Sequence, residues 1–581
     1  MGQESSPRES PEEIPLNRTS LILCLTLAAI CGLAVNLFAA AGEEIYQVEQ
    51  GFKLIPAVIM ITMLCVYVGV GFLSKVSDTS GYWVASQEIG KFGNGAAIAS
   101  DWMSAASFMG VAGLLYLKGW FGLGYIIGWT GGYVLLLCLI TAQLRRFGKY
   151  TIPEFLGDRF DCHVVRLLAA SVTVIITITY AAAQFKGIGL ICGWIFGMSY
   201  TASVFFAAGV VTAYMLVSGM AGVTRNQQLQ YVVLISAFMI PLWVLIKKAG
   251  GAGILPQLEY GPILSGLMEG SVAGPPLSPE EALELRRTFL PWGMGNFYQF
   301  IALVFTLMVG TAGLPHIMIR FYTVKNEDIA RKSVLWGLFF IGLLYWSSPV
   351  YAVLGKFWNP NGGPTVADVI ILSAPERANL GIAYIGYLAS GAMAAGLSTL
   401  AGLLMTGASA IAHDWYATVL RPECTDKQAL MVGRIFTAII CIIVIVIALK
   451  PPALIAQIVA MAFAIAGNTI FPVVVLGIWY SKSNKYGAMA SMIWGFGMTL
   501  MAMVGWILGI EFFGPEGLMP ATSSALIVCP IAFLLNIIVS NVMAEKVTEE
   551  TADRSDNILR KLHNLPGNAA EPRNKNVAFF H

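Results

Sequence analysis

Asp101 sits in the stretch ASDWMSAASFMG (99–110), inside an otherwise apolar run. Lys186 stands in a second run, within TYAAAQFKGIG (179–189), with Tyr180 and Gln184 on nearby turns. Ser398 and Thr399 stand in a third, GAMAAGLSTLAGLLMTGASA (391–410). Polar groups at membrane depth must find a partner or line a wet cavity, and an intramembrane acid or base is read first as functional. The chemistry on offer is ion and solute binding. No Walker A glycine loop and no kinase or hydrolase motif accompanies these residues, so no covalent step and no ATP-driven step is expected.

The first stretch reads in two ways. Ser100, Ser104 and Ser107 compete for backbone groups and weaken a plain helix, with Gly93, Gly95, Gly110 and Gly113 around them. A helix broken here frees carbonyl oxygens, good ligands for a hard cation such as sodium. A continuous helix would instead leave Asp101 at the water interface. In the third stretch Ala395, Ser398 and Thr399 are spaced i, i+3, i+4 and share one helix face, which can present oxygens to an ion. The same run of Gly, Ala, Ser and Thr also suits a tight helix–helix interface. Lys186 can pair with an acid, bind a solute carboxylate or snorkel to an interface. His316, in GTAGLPHIMIRF (310–321), reads as a structural hydrogen-bonding residue. In SGMAGVTRNQQLQ (218–230), Arg225 and Gln227 to Gln230 are placed at the cytoplasmic edge, with capping and gating both open.

The elements that must position these residues are membrane helices. The chain of 581 residues is 57% apolar and 12% charged, with a mean hydropathy of +0.72. Soluble domains carry about a quarter charged residues. Runs long enough to cross the hydrocarbon core lie near 53–74, 96–117, 121–143, 164–196, 200–219, 228–248, 295–314, 333–355, 381–412, 430–449, 453–480, 486–510 and 522–543, about thirteen spans. Segment 19–41 is a fourteenth or a cleaved signal peptide; its leader holds Glu4, Glu9, Glu12 and Glu13 against Arg8 and Arg18. The loops 144–166 and 315–332 are basic and fall on one side with the tail 546–581, assigned to the cytoplasm; the acidic loop 249–291 falls on the other. The nine cysteines and five histidines form no C-x-x-C pair or metal cluster, and a net charge of +2 gives no argument for a nucleic-acid partner.

Four motifs, in this order and spacing, resemble the solute:sodium symporter family over nearly all of the span region: SDWMSAASFMG (100–110), KYTIPEFLGDRF (149–160), TAGLPHIMIRF (311–321) and AAGLSTLAGLLMTGASAIAHDWY (394–416). DWMSAASF, YAAAQ and GTAGLPHIMIRFYTV look most like its acetate permease branch. A basic residue at the Lys186 position is similar to a subgroup that occurs with a small two-span membrane subunit, which would be a partner besides the lipid bilayer and a small organic anion.

The resemblance implies an all-α polytopic membrane protein with the leucine-transporter fold. In it, two five-helix repeats of inverted topology, 96–248 and 295–480, meet at broken first helices. Residues 1–41 would be a leader with a signal peptide or extra helix, 42–545 the transporter domain and 546–581 a cytoplasmic tail. Carried over, the carbonyls of Ser100, Met103 and Ala395 and the hydroxyls of Ser398 and Thr399 bind sodium. The solute sits beside it near Trp102, Ser107 and Gln184, with Lys186 as the cation for a carboxylate. The family's proline transporters carry an acid that, aligned on Ser104, falls at Trp102. Asp101 is therefore left between assisting the ion, binding a proton and forming a salt bridge with Lys186. The sugar-binding residues of the family's sugar transporters are not matched. The implied function is symport of sodium with a small monocarboxylate such as acetate, in a bacterial inner membrane with a cytoplasmic C-terminus. Another small solute, proton coupling through Asp101, and a transporter-like membrane sensor are the alternatives. Such sensors carry a long signalling domain, which the short tail argues against.

Overall fold

A computed structural model describes residues 51–73, 89–217, 220–269, 278–360 and 367–565. The segment 1–41 and the end of the tail lie outside the described residues. The principal helices are α1 (Leu54–Leu73), α2 (Lys91–Trp102), α3 (Val111–Lys118), α4 (Leu123–Leu139), α5 (His163–Phe196), α6 (Tyr200–Val217), α7 (Met220–Lys248), α8 (Phe297–Gly313), α9 (Glu327–Tyr345), α10 (Ile382–Ser409), α11 (Asp426–Leu449), α12 (Ile455–Trp479), α13 (Lys485–Ile507), α14 (Ala525–Val542) and α15 (Glu549–His563). Among the described residues there are no strands.

Apolar runs become helices here because only the helix satisfies its own backbone groups in hydrocarbon. Short polar residues set where they start. Asn296 and Gln299 form a capping box on α8, Thr425 and Gln428 another on α11, and Asn326 caps α9. Among the described residues, ten helical stretches are long and apolar enough to cross a membrane, or eleven if the bent pair Phe297–Gly313 and Pro315–Thr323 is one span. That is fewer than the thirteen runs expected. The runs 96–117 and 121–143 share the helical stretch Ala106–Leu139, and 200–219 falls on the shorter apolar helix Tyr200–Val211, so a length criterion merges or misses them.

Burial sorts the bundle into centre and rim. The most apolar eighteen-residue window is 100% buried in the stretch Ile382–Leu420, 94% in α12 and 83% in α5, but only 33% in α1, α11 and α14. The small residues of α10 let this centre close up. A Cβ on Gly396 would lie 2.7 Å from Ile188 of α5, and one on Gly402 would lie 2.1 Å from the Asp101 carboxylate of α2. The small-residue interface read from the sequence is therefore present.

The basic loops gather at one end, as their charge pattern implied. Arg145 donates to the Lys325 carbonyl (2.8 Å), Arg146 pairs with Glu327, and Arg146 and Lys561 donate to the carbonyls of Leu562 (2.7 Å) and Phe147 (2.9 Å). The tail helix α15 thus lies against loop 144–166. At this end the motif KYTIPEFLGDRF meets the motif ending in HDWY. Thr151 donates to Asp414 (2.8 Å), Arg166 reaches Asp414 (2.8 Å), and His413 lies 3.4 Å from Glu154.

Candidate ion and solute site

The helix carrying Asp101 is broken. α2 ends at Trp102; Met103 leaves helical geometry at φ −73°, ψ 66°, and a π-helical turn, Ala106–Gly110, leads into α3. Asp101 is wholly buried, so the reading that put it at the water interface does not hold. The second break is at Leu314, where the chain bends by 47° before Pro315. Proline favours such a break, because it disfavours helical geometry in the residue before it.

The hydroxyls of α10 face the first break. Ser398 Oγ donates to the Ser100 carbonyl (2.6 Å) and lies 3.0 Å from the Ala395 carbonyl, while Thr399 Oγ1 donates to the Asp101 carbonyl (2.6 Å). Five hard oxygens therefore converge, and this donor set suits a small hard cation. Met103 opens the break. Its N–H closes the last turn of α2 on Ala99 (2.8 Å), and the carbonyl that meets Thr399 is that of Asp101. Gln227 donates to the Ser398 carbonyl from a fully buried position, so this part of SGMAGVTRNQQLQ lies in the core and not at an edge.

The salt bridge between Asp101 and Lys186, one of the three readings of Asp101, is not formed. Asp101 binds Arg320, whose Nε and Nη2 each lie 3.0 Å from Oδ2, and Arg320 also donates to Thr224 (3.0 Å). Lys186 binds Asp368 (2.6 Å) and the Ala453 carbonyl (2.9 Å). The two acids and two bases sort into separate pairs at different places in the bundle. Each buried charge is neutralised by its own partner, as burial in a low dielectric requires.

Trp102, Ser107 and Gln184 do come together around the break. Gln184 Oε1 accepts from the Ala105 N–H (2.9 Å), one of the donors left free by the break. Ser107 Oγ lies 2.8 Å from the Tyr345 hydroxyl and donates to the Trp102 carbonyl (3.1 Å). Tyr180 donates to Ser104 (3.3 Å). The Trp102 ring meets Tyr133, Phe463 and Trp129 edge-on at 4.9, 5.4 and 6.3 Å, and Trp129 stacks on Tyr345 at 5.7 Å. His316 packs its ring on Tyr180 at 5.4 Å. Neither of its ring nitrogens has a hydrogen-bond partner among the described residues; nor do Trp129 Nε1 and the Tyr133 hydroxyl. His316 is thus not the hydrogen-bonded structural residue expected. Lys186 stands outside this aromatic cluster, held by Asp368.

Sequence reasoning missed Arg320, Asp368, Tyr133, Trp129 and Tyr345. Arg320 was visible as the charge in TAGLPHIMIRF, just after the proline break. The aromatics carried no signal that separates them from ordinary core.

A helix break lined by hard oxygens and buried polar groups suits ions and small solutes. The profile of the sodium:solute symporter family matches residues 82–495, and the chain belongs to that family. An uncharacterised symporter of Cupriavidus necator is 30% identical to it, over 83% of this chain and 90% of that protein. Among solved structures, a sodium-coupled sialic acid symporter in a substrate-bound outward-open state superposes with a TM-score of 0.63 at 13% identity, covering 84% of this chain and 98% of that one. The fold is shared at that level. The chain is thus a multi-pass membrane transporter of a small solute, coupled to sodium.

Proposed function

We propose that the solute is a small monocarboxylate such as acetate, taken up with sodium by alternating access. The observation that carries this reading is the set of partnerless buried donors, Trp129 Nε1, the Tyr133 hydroxyl and the His316 ring, in a close-packed aromatic surround. A buried polar group without a partner costs free energy, and a carboxylate accepts hydrogen bonds only, so it fits such donors. The tight packing favours a solute of few atoms. The likeness of DWMSAASF, YAAAQ and GTAGLPHIMIRFYTV to the acetate permease branch points the same way.

In this reading sodium takes the oxygens of Ser100, Met103, Ala395, Ser398 and Thr399, joined by the Asp101 carbonyl, between α2 and α10. The ion replaces hydroxyl-to-carbonyl hydrogen bonds and draws the two helices into one arrangement. The solute binds next to it at Trp102, Ser107 and Gln184. Each ligand raises the affinity of the other, typically by about 1–3 kcal/mol. Asp101 acts as a positioning residue through Arg320, and Lys186 keeps Asp368 neutralised. The repeats 96–248 and 295–480 are the two inverted halves, each opening on a broken helix. The basic end, with α15, faces the cytoplasm of a bacterial cell, and a small two-span subunit is the proposed partner.

The test is uptake of labelled acetate by the purified protein in liposomes, with and without an inward sodium gradient, with Ser398→Ala as control. Sodium-driven uptake that the variant loses supports the solute, the ion and the site together. Uptake of another carboxylate but not acetate overturns the choice of solute alone.

A further inference from the structure

The basic end of the bundle holds a cavity of about 360 Å³ that the ion and solute site does not use. Besides the end of α14, three elements form its walls. They are Arg159 at the end of the helix Ile152–Arg159, the turn 481–485 between α12 and α13, and the face of α15 that bears Ser555 and Asp556.

Arg159 is wholly buried. Its Nε donates to the Gly477 carbonyl (2.6 Å), Nη2 to the Tyr480 carbonyl (3.4 Å) and Nη1 to the Ser555 hydroxyl. No carboxylate among the described residues forms an ion pair with Arg159, Lys482 or Lys485. The acid in the wall, Asp556, is already engaged by Arg560 (2.9 Å). Burial pulls the Arg159 guanidinium down to about 10, with the charge of Asp556 offsetting part of that. A buried cation whose hydrogen bonds all go to neutral groups is costly, and the two lysines lining the same cavity add to the same field.

We propose that this cavity binds a phosphate-bearing anion, with Arg159 at its floor and Lys482 and Lys485 at its mouth. Guanidinium pairs with phosphate through fixed donors, and lysine supplies a mobile point charge. The volume is in the range of small-ligand sites. Asn541, at the end of the membrane helix α14, also lines the cavity, so a phospholipid headgroup at the bilayer surface can reach it as readily as a soluble phosphate. The occupant would fix α15 to the turn 481–485. α15 already touches the end of α12 through His563 and the Ile478 carbonyl (2.9 Å).

The experiment uses the full chain. Retention of phosphatidylglycerol against phosphatidylcholine is measured by native mass spectrometry after mild delipidation. In parallel, the melting temperature in detergent is followed as inorganic phosphate is titrated against chloride at equal ionic strength. Both are repeated with Lys482→Gln/Lys485→Gln, whose exposed or half-buried side chains leave folding intact. The expected result is that at least one probe binds the native chain and binds the double variant roughly tenfold more weakly. Preferred retention of phosphatidylglycerol without a phosphate effect assigns a lipid headgroup; a phosphate effect without lipid preference assigns a soluble ligand. Binding of neither probe, or equal binding by native and variant chains, overturns the proposal.

Discussion

Arg320 reaches Asp101 across two breaks in the chain: Asp101 lies just before the first, Arg320 just after the second, and their charged atoms meet at 3.0 Å with neither side chain exposed. One ion pair therefore ties the two broken helices together beside the oxygens of Ser398 and Thr399. Removing one partner strands a buried charge, which costs about 3–5 kcal/mol, whereas removing both is far cheaper. Asp101→Asn and Arg320→Gln are each expected to lower the melting temperature more than the double substitution does. A double variant no more stable than the worse single one would show that the pair is not a unit.

Gly402 faces the same carboxylate. A Cβ there would lie 2.1 Å from Asp101 Oδ1, so Gly402→Ala forces the acid away from Arg320 without touching its charge. Overpacking of this kind costs about 1–3 kcal/mol. Reduced melting temperature and reduced uptake are expected together; a fully stable, fully active Gly402→Ala protein would contradict the close contact.

The two hydroxyls of α10 differ in what would rescue them. Thr399→Ser keeps the oxygen that meets the Asp101 carbonyl, and Thr399→Val keeps the shape alone. Loss of one oxygen ligand should raise the sodium concentration for half-maximal uptake roughly tenfold. Thr399→Val and Ser398→Ala are expected to show that rise and Thr399→Ser to be close to the native protein. An unchanged sodium dependence in Thr399→Val would remove Thr399 from the ion site.

Glu154 makes the basic end sensitive to acid. Burial pushes its carboxyl up, but His413, the Tyr150 N–H (2.9 Å) and Arg166 (3.8 Å) outweigh burial and bring it down from 4.5 to about 2. The unfolded chain protonates this group near 4.5 and the folded chain only near 2. Its contribution, about 3 kcal/mol, is complete above the higher value and is lost as pH falls toward the lower one. Melting curves of native and Glu154→Gln proteins should differ most at neutral pH and converge as pH falls from about 4.5 to about 2. A gap that stays constant through that window would rule out the linkage.

Much of this site could be read from residue types. The serines around Asp101 signalled a broken helix, and the i, i+3, i+4 spacing put Ala395, Ser398 and Thr399 on one face. What spacing does not carry is which charge meets which. Asp101 and Lys186 were opposite charges in separate apolar runs, but their partners came from elsewhere. Asp368 lies between two spans, in a stretch without helical periodicity, and only the folded chain brings it to Lys186 and to the Ile455 N–H (3.3 Å).

The unequal burial of the spans has a mechanical consequence. With α1, α11 and α14 facing outward and the Ile382–Leu420 stretch wholly enclosed, a change in bilayer thickness acts first on helices that carry no ion ligand. Hydrophobic mismatch is then absorbed as tilt at the perimeter. Thicker or thinner membranes should therefore alter how fast the protein turns over, while the grip of its innermost helix on a cation stays the same.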